Sequence, residues 1–418
     1  MMKTSLFSAM TLAMTSFLVT AVSCQTSSVN PGPANTVPTG ELRVSAPFVD
    51  QTSQFAFDLA KRVAKAGGES ENLFISPLSL HMALGMILNG ASAQTAQEIQ
   101  KTLNLDAQTL AEANQTYQNL MVNLPAVDPK VTLQLANSVW YRNTFEVATT
   151  FQDVLKQTFK ANVSAQDFND PATVGKINSW ASEKTNGKIP KVLDAIQPDN
   201  VLFLLNALYF KGDWKTQFKP ESTIDSPFRL VTGAEKTVRM MRLETEMRRA
   251  FRPTFTAFEL PYGADNSKFA MTVLLPAENT TATAVMNSLT GADWSQLQKD
   301  MTVSKVDIGL PKFTLNYAVK LNSILSDMGM PTAFTDRADF TKMNPKGNLL
   351  LSFVKQNTFV AVDEKGTEAA AVTTGGFSTT SYKEPTLCNR PFVFVIHEKT
   401  SGTVLFVGKI ADPTKTNS

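Results

Sequence analysis

The spacing of apolar and polar positions changes period partway along the chain. Phe55, Leu59 and Val63 recur at helical spacing and the run stops at Gly67-Gly68, which predicts a helix and its end. Residues 72–75 read as a short strand. Ser76-Pro77 then supplies an N-cap and a proline at the first helical position, with Leu80, Leu84, Ile87 and Leu88 as the buried face and Gly90 as the stop. A third helix carries Ile99 and Leu103, and a fourth covers residues 108–124. Val131, Leu133 and Leu135 alternate with polar residues, and Val139 and Tyr141 continue the strand after a change of phase. Asp170-Pro171 opens a helix with Val174, Ile177 and Trp180 or Ala181 on one face, ending at Asn186-Gly187. Residues 201–210 are almost continuously apolar, which predicts a central strand buried on both faces. Strands dominate thereafter, around 238–242, 255–260, 270–275, 303–310, 349–362, 392–397 and 404–410. Helices first and strands later predict an α+β protein with mainly antiparallel sheets.

The N-terminus departs from this pattern. Lys3 precedes an uncharged, mostly apolar run over residues 6–22, closed by Ala21-Val22-Ser23-Cys24. A positive start, an apolar middle and small residues at the cut are the layout of a signal peptide, here residues 1–23. The run is short for a membrane span and contains several Ser and Thr. A cysteine directly after small residues resembles the bacterial lipoprotein signal, with Ala21 where Leu is usual. That resemblance implies acylation of Cys24, and Gln25 after it implies an outer-membrane destination in a Gram-negative cell. The alternative is ordinary cleavage, with Cys24 left as a free thiol and the protein extracellular. Residues 24–45 are rich in Ser, Thr, Pro, Gly and Asn and read as a tether, leaving 46–418 as one folded domain.

Composition narrows the function. With 39 basic and 37 acidic residues the net charge is +2, which gives no reason to expect nucleic acid as a partner. Two cysteines, Cys24 and Cys388, and two histidines, His81 and His397, leave almost nothing for a zinc site or a disulfide framework. There is no phosphate-binding Gly-rich loop and no Gly-x-Ser-x-Gly turn. Ser76, Ser79 and His81 read as an N-cap and helix packing rather than a nucleophile and base, and His397 as a sheet histidine. The run Arg239, Arg242, Arg248, Arg249 and Arg252 is interrupted by Glu244 and Glu246 and reads as a solvated face, with an anion site as the alternative. No catalytic set, metal or cofactor is expected.

Residues 363–385, DEKGTEAAAVTTGGFSTTSYKEP, are the unusual segment: more than twenty residues with little to bury, lying between two apolar strands. Such a loop inside a compact domain is functional or disordered. From Gly366 to Thr374 there is no proline, no aromatic and one charge, Glu368. As a strand it would put Thr367, Ala369, Ala371 and Thr373 on one face, all small enough to slide under a packed sheet. The segment can be a loop in one state and a strand in another.

EKGTEAAAVT resembles the hinge of inhibitory serpins, which precedes their reactive-centre loop. NLFISPLSL, INSWASEKTNGKIPKVL, LLNALYFKGDW, VDIGLPKF and NRPFVFVIHEKTSGTVLFVGKIADP resemble further segments of that family, in the family's order. The resemblance spans about 370 residues. It implies the serpin fold: α+β, three mainly antiparallel sheets, eight or nine helices and an exposed reactive-centre loop. It implies a metastable suicide inhibitor of serine-type endopeptidases, not an enzyme, in which a protease cleaves the loop and the hinge inserts as a new central strand. The hinge would comprise Glu364, Gly366, Thr367, Glu368, Ala369, Ala370 and Ala371. The reactive bond would join Thr380 and Ser381, and the small Thr favours elastase-like or subtilisin-like targets. Ser76, Ser79, Asn206, Gln356 and Trp214 match the region where the sheet opens. Many members have a histidine at the position of Gln356, which could bridge to Asn206 or Ser76 but cannot titrate. Some members respond to sulfated polysaccharides through a basic fourth helix, whereas residues 108–124 contain no Lys or Arg. A monomer is expected, touching membrane only through its lipid. The competing reading is a non-inhibitory carrier or folding-assistance serpin, whose hinges usually carry bulky, charged or proline residues.

Overall fold

The computed structural model describes residues 42–367 and 385–416. The chain begins with α1 (Ala46–Gly67), β1 (Leu73–Ile75), α2 (Pro77–Gly90), α3 (Ala93–Thr102) and α4 (Leu110–Asn123). Then come β2 (Val131–Arg142), α5 (Thr149–Thr158), β3 (Asn162–Gln166), α6 (Ala172–Lys184) and β4 (Leu202–Asp213). Strands β5 (Ile224–Arg229), β6 (Glu235–Phe251), β7 (Phe255–Pro261) and β8 (Phe269–Pro276) precede the short helices α7 (Ala282–Ser288) and α8 (Gly291–Asp300). The remainder is β9 (Thr302–Pro311), β10 (Phe313–Lys320), α9 (Asn322–Met328), β11 (Lys355–Val362), β12 (Gly366–Thr367), β13 (Thr386–Leu387), β14 (Phe392–Glu398) and β15 (Val404–Ile410). Among the described residues there are thus nine α-helices, an α+β set as the sequence predicts.

One sheet runs β10-β11-β12-β4-β2-β3, the other β1-β15-β14-β8-β7-β6-β9-β13 with β5 on β6. The three expected sheets are therefore joined into two ladders. The junction is β6, which is long enough to pair at its end with β7 and over Met240 to Arg249 with β9. Most pairings are antiparallel; β2 with β3 and β13 with β9 are parallel.

Helix α2 is buried on nearly all sides, because it runs between the two sheets. Its apolar residues leave little amphipathic contrast, as a core helix requires. Phe74 stacks on Phe406 at 4.9 Å and on Phe394 at 5.7 Å beside it. A smaller cluster, Trp140, Phe168, Ile177, Trp180 and Phe203, lies between α6 and the opposite face of the first sheet.

Three expectations change. Residues 349–354 form no strand, because elements outside the sheet take their backbone groups: Leu351 N donates to Ala333 O in a 3-10 turn at 2.8 Å, and Val354 N to Oδ1 of Asn322 at the start of α9 at 2.9 Å. Strand β4 is fully buried over Ala207 to Phe210 but only half-buried over Leu204 to Asn206. It pairs with β2 along its length, whereas among the described residues its other edge has a partner only at Gly212 and Asp213. Within the stretch read as a tether, Leu42 and Val44 pack on the core, and Arg43 N donates to Asn119 Oδ1 at 2.9 Å.

Candidate functional site: an open sheet with a seated hinge

Among the described residues, the first sheet has no ladder between β11 and β4 except through β12. Below β12 the two strands are held apart, and each is tied separately to the start of α2. Ser76 caps this helix, accepting from Ser79 N at 3.3 Å while its hydroxyl donates to Leu405 O at 2.9 Å. Gln356 on β11 makes two bonds to the Ser76 backbone: its Nε2 donates to Ser76 O at 2.8 Å and its Oε1 accepts from Ser76 N at 2.9 Å. Of the two bridges open to Gln356, the structure has the one to Ser76. Asn206 on β4 accepts from the Ser79 hydroxyl and donates to Asn137 Oδ1 at 2.6 Å, and Asn137 donates in turn to Phe159 O at 2.8 Å. All four groups therefore meet at one helix start. A cavity of about 100 Å³ lies at the gap, lined by Leu84, Ile87, Leu204, Phe340, Leu351 and Phe353.

At the upper end the gap is filled. Thr367 pairs with Val362 on one side and Gly212 on the other, and Gly366 with Asp213. These two residues are strand already, a correction to the expectation of a loop from Gly366 onward. The approach is close: a Cβ on Gly366 would collide with the Gly212 carbonyl and lie 2.6 Å from the Asp213 Cα, which is why the residue is glycine. Asp363 shapes the turn into this strand, its Oδ1 accepting from Lys365 N at 2.9 Å and its backbone N donating to Gly366 O at 3.0 Å. Trp214 fastens the turn from β4. Its backbone N donates to Lys365 O at 2.6 Å and its ring Nε1 to Asp363 O at 2.9 Å. Glu364 pairs with Lys312 at 2.7 Å and accepts from the Thr223 hydroxyl at 2.9 Å. Burial pushes its carboxyl up, but these donors together hold it below the usual range. Thr367 is 3 % exposed, and its hydroxyl lies 2.7 Å from Tyr262 Oη, on a ring stacked against Trp214 at 4.5 Å.

Glu364, Gly366 and Thr367 thus sit where the hinge was expected, with Trp214 beside them and Ser76, Ser79, Asn206 and Gln356 lower in the same gap. The hinge residues Glu368, Ala369, Ala370 and Ala371, the bond between Thr380 and Ser381, and Cys24 lie outside the described residues. Sequence reasoning gave no role to Tyr262, Lys312, Asp363 or Thr223. Lys312 lay within a quoted motif, but nothing in the sequence paired it with Glu364, 52 residues away.

The remaining candidates are structural. His81 donates from Nε2 to Leu103 O at 3.1 Å, so its Nδ1 accepts from Tyr117 Oη at 2.9 Å; burial lowers its pKa to about 4. Burial also lowers His397 to about 4, against the opposing pull of Glu259, and its Nε2 lies 3.0 Å from Thr272 Oγ1. Arg239, Arg242, Arg248 and Arg252 pair with Asp225, Asp307, Glu259 and Asp300, and Arg249 lies over the Phe251 ring. That is the paired, solvated face and not an anion site. Among the described residues no acidic, His or Cys group is arranged to hold a metal ion, and no helix is long and apolar enough to cross a membrane.

A central sheet divided along one line, with Gly366 and Thr367 seated in the division, defines the class of α+β protein. The chain belongs to the serpin family: a model described as "Serpin (serine protease inhibitor)" matches residues 50–413. The leukocyte elastase inhibitor of Xenopus laevis is 34 % identical over 382 residues, covering 86 % of this chain and 98 % of that protein. An uncharacterized serpin-like protein of Thermococcus kodakarensis is 30 % identical over 427 residues, covering 96 % of this chain and 98 % of that one. The native-state structure of tengpin, a thermophilic serpin, superposes with a TM-score of 0.81 at 32 % identity over 90 % of this chain and 96 % of its own. Thyroxine-binding globulin in complex with thyroxine has a TM-score of 0.79 at 25 % identity, over 88 % and 99 %. Proteins of this likeness thus include an elastase inhibitor and a thyroxine-binding globulin.

Proposed function

We propose that this protein is a suicide inhibitor of serine-type endopeptidases and that it works by inserting its cleaved loop between β11 and β4. The observation that carries this reading is the seated start of the hinge. Gly366 and Thr367 occupy the top of a gap that no other described strand fills, and the residues that follow in sequence, Glu368 to Thr374, are small apart from one glutamate. A protease attacking the loop forms its own acyl-enzyme. Insertion of the released segment then competes with hydrolysis of that ester, and a protease dragged along is trapped. The chemistry belongs to the protease.

The inhibitor relatives support a protease partner, and Thr380 before Ser381 fits an elastase-like or subtilisin-like enzyme with a small primary pocket. Incubation with elastase, chymotrypsin and subtilisin, followed by denaturing gels, tests this. The expected result is a covalent complex stable to boiling, with a released C-terminal fragment starting at Ser381. Cleavage by every protease without any complex would overturn the reading and favour the non-inhibitory carrier. We further propose export with acylation at Cys24. Changing Cys24 to Ser should release the protein from the membrane fraction, and retention there would refute the anchor.

A further inference from the structure

We infer that Tyr262 is a positioning residue that seats Thr367 in the sheet before any protease arrives. This inference rests on the inhibitory reading for its consequence, though not for its geometry. Tyr262 is fully buried, and its hydroxyl faces Thr367 Oγ1 at 2.7 Å, a group that comes from the hinge 105 residues later. The ring cannot turn away. Trp214 is stacked on one face at 4.5 Å, Phe210 stands edge-on at 4.9 Å, and a Cβ on Gly212 would lie 3.0 Å from it. Trp214 also holds the hinge turn through Asp363 O and Lys365 O. One rigid aromatic pair therefore fixes both the turn and the first inward side chain.

The bond between the two hydroxyls is what a docked hinge gains over a loop in water. If Thr367 leaves the sheet, its hydroxyl is hydrated but the Tyr262 hydroxyl stays buried. A buried hydroxyl without a partner is unfavourable. The tyrosine thus biases the hinge toward the seated position, and insertion starts from a strand already begun.

The test is hydrogen exchange at Gly366 and Thr367 in the intact protein, together with moles of inhibitor consumed per mole of protease. Tyr262→Phe keeps the ring and its stacking but removes the hydroxyl. It should speed exchange at these amides by about tenfold, the size expected for one buried hydrogen bond. It should also raise the amount of inhibitor consumed. Thr367→Val should do the same, the double variant should do no more than either alone, and Thr367→Ser should behave as wild type. Unchanged exchange in Tyr262→Phe, or additive effects of the two changes, would overturn the inference. Exchange that responds as expected in a protein that traps no protease would uphold the positioning and refute the inhibitory reading instead.

Discussion

At the residue scale, the hinge depends on side chains that are small at one position and absent at another. Thr367 is 3 % exposed between two strands, so arginine there would put an unpaired charge into a closed site, which is strongly unfavourable. Thr367→Arg should unseat the hinge and slow insertion without hiding the loop. The expected outcome is a substrate: the same bond cleaved, no covalent complex on a denaturing gel. Trapping at the wild-type ratio would argue against insertion. The two histidines make a different prediction. Both are buried and neutral with pKa values of about 4, below the ordinary 6.5. An unfolded chain binds protons at these sites first, so their stability is fully present above about pH 6.5 and is lost as pH falls toward 4. Each accounts for roughly 3 kcal/mol by the bottom of that window. Melting temperature should therefore be flat in this respect from pH 8 to 7 and drop steeply below 6. Gln356 carries no group that titrates, so the pH dependence of the inhibition rate between pH 6 and 8 should follow that of the protease's own acylation step. Glu364, Gly366 and Thr367 were legible in the sequence because their spacing is local. Tyr262 was not, since its role depends on a partner brought to it by the fold.

At the element scale, periodicity located most helices and strands before α6, and the apolar strands of the second sheet. It failed where a segment's partners are not in a ladder. Residues 349–354 have the composition of a strand, but their hydrogen bonds run to Ala333 in a 3-10 turn and to Asn322 at the start of α9. Strand β4 has the composition of a strand buried on both faces, but no described strand pairs with one of its edges over Leu204 to Asn206. Apolar content reports what a segment can bury, not whether its neighbour is present. Helix α4 was legible in extent and in charge. It opens with a capping box between Thr109 and Glu112 and has no Lys or Arg along its length. A polyanion finds no electrostatic footprint there. Heparin-like polymers should therefore not accelerate inhibition through this helix. A large acceleration abolished by substitutions within residues 108–124 would contradict that.

At the scale of the whole molecule, the first sheet consists of two well-paired parts, β10 with β11 and β4 with β2 and β3, held together across the gap by β12 above and by the start of α2 below. Filling the gap would add backbone hydrogen bonds on both sides of the new strand and cover the half-buried Leu204 and Leu205. Wild-type protein cleaved in its loop should accordingly melt higher than intact protein; equal melting would mean that the gap stays empty. The pairing of Thr367 also sets a length scale. It faces Val362, and β11 runs back from there to Lys355, seven residues away. Continued in step, Thr374 would arrive between Lys355 and Leu205, where the run of small residues gives way to Gly375 and Gly376. Seven residues of strand are about 23 Å of travel. On the insertion reading the molecule is a one-stroke machine whose stroke is measured out by β11, and an acyl bond at Thr380, six residues past Thr374, would be carried beyond the foot of the sheet.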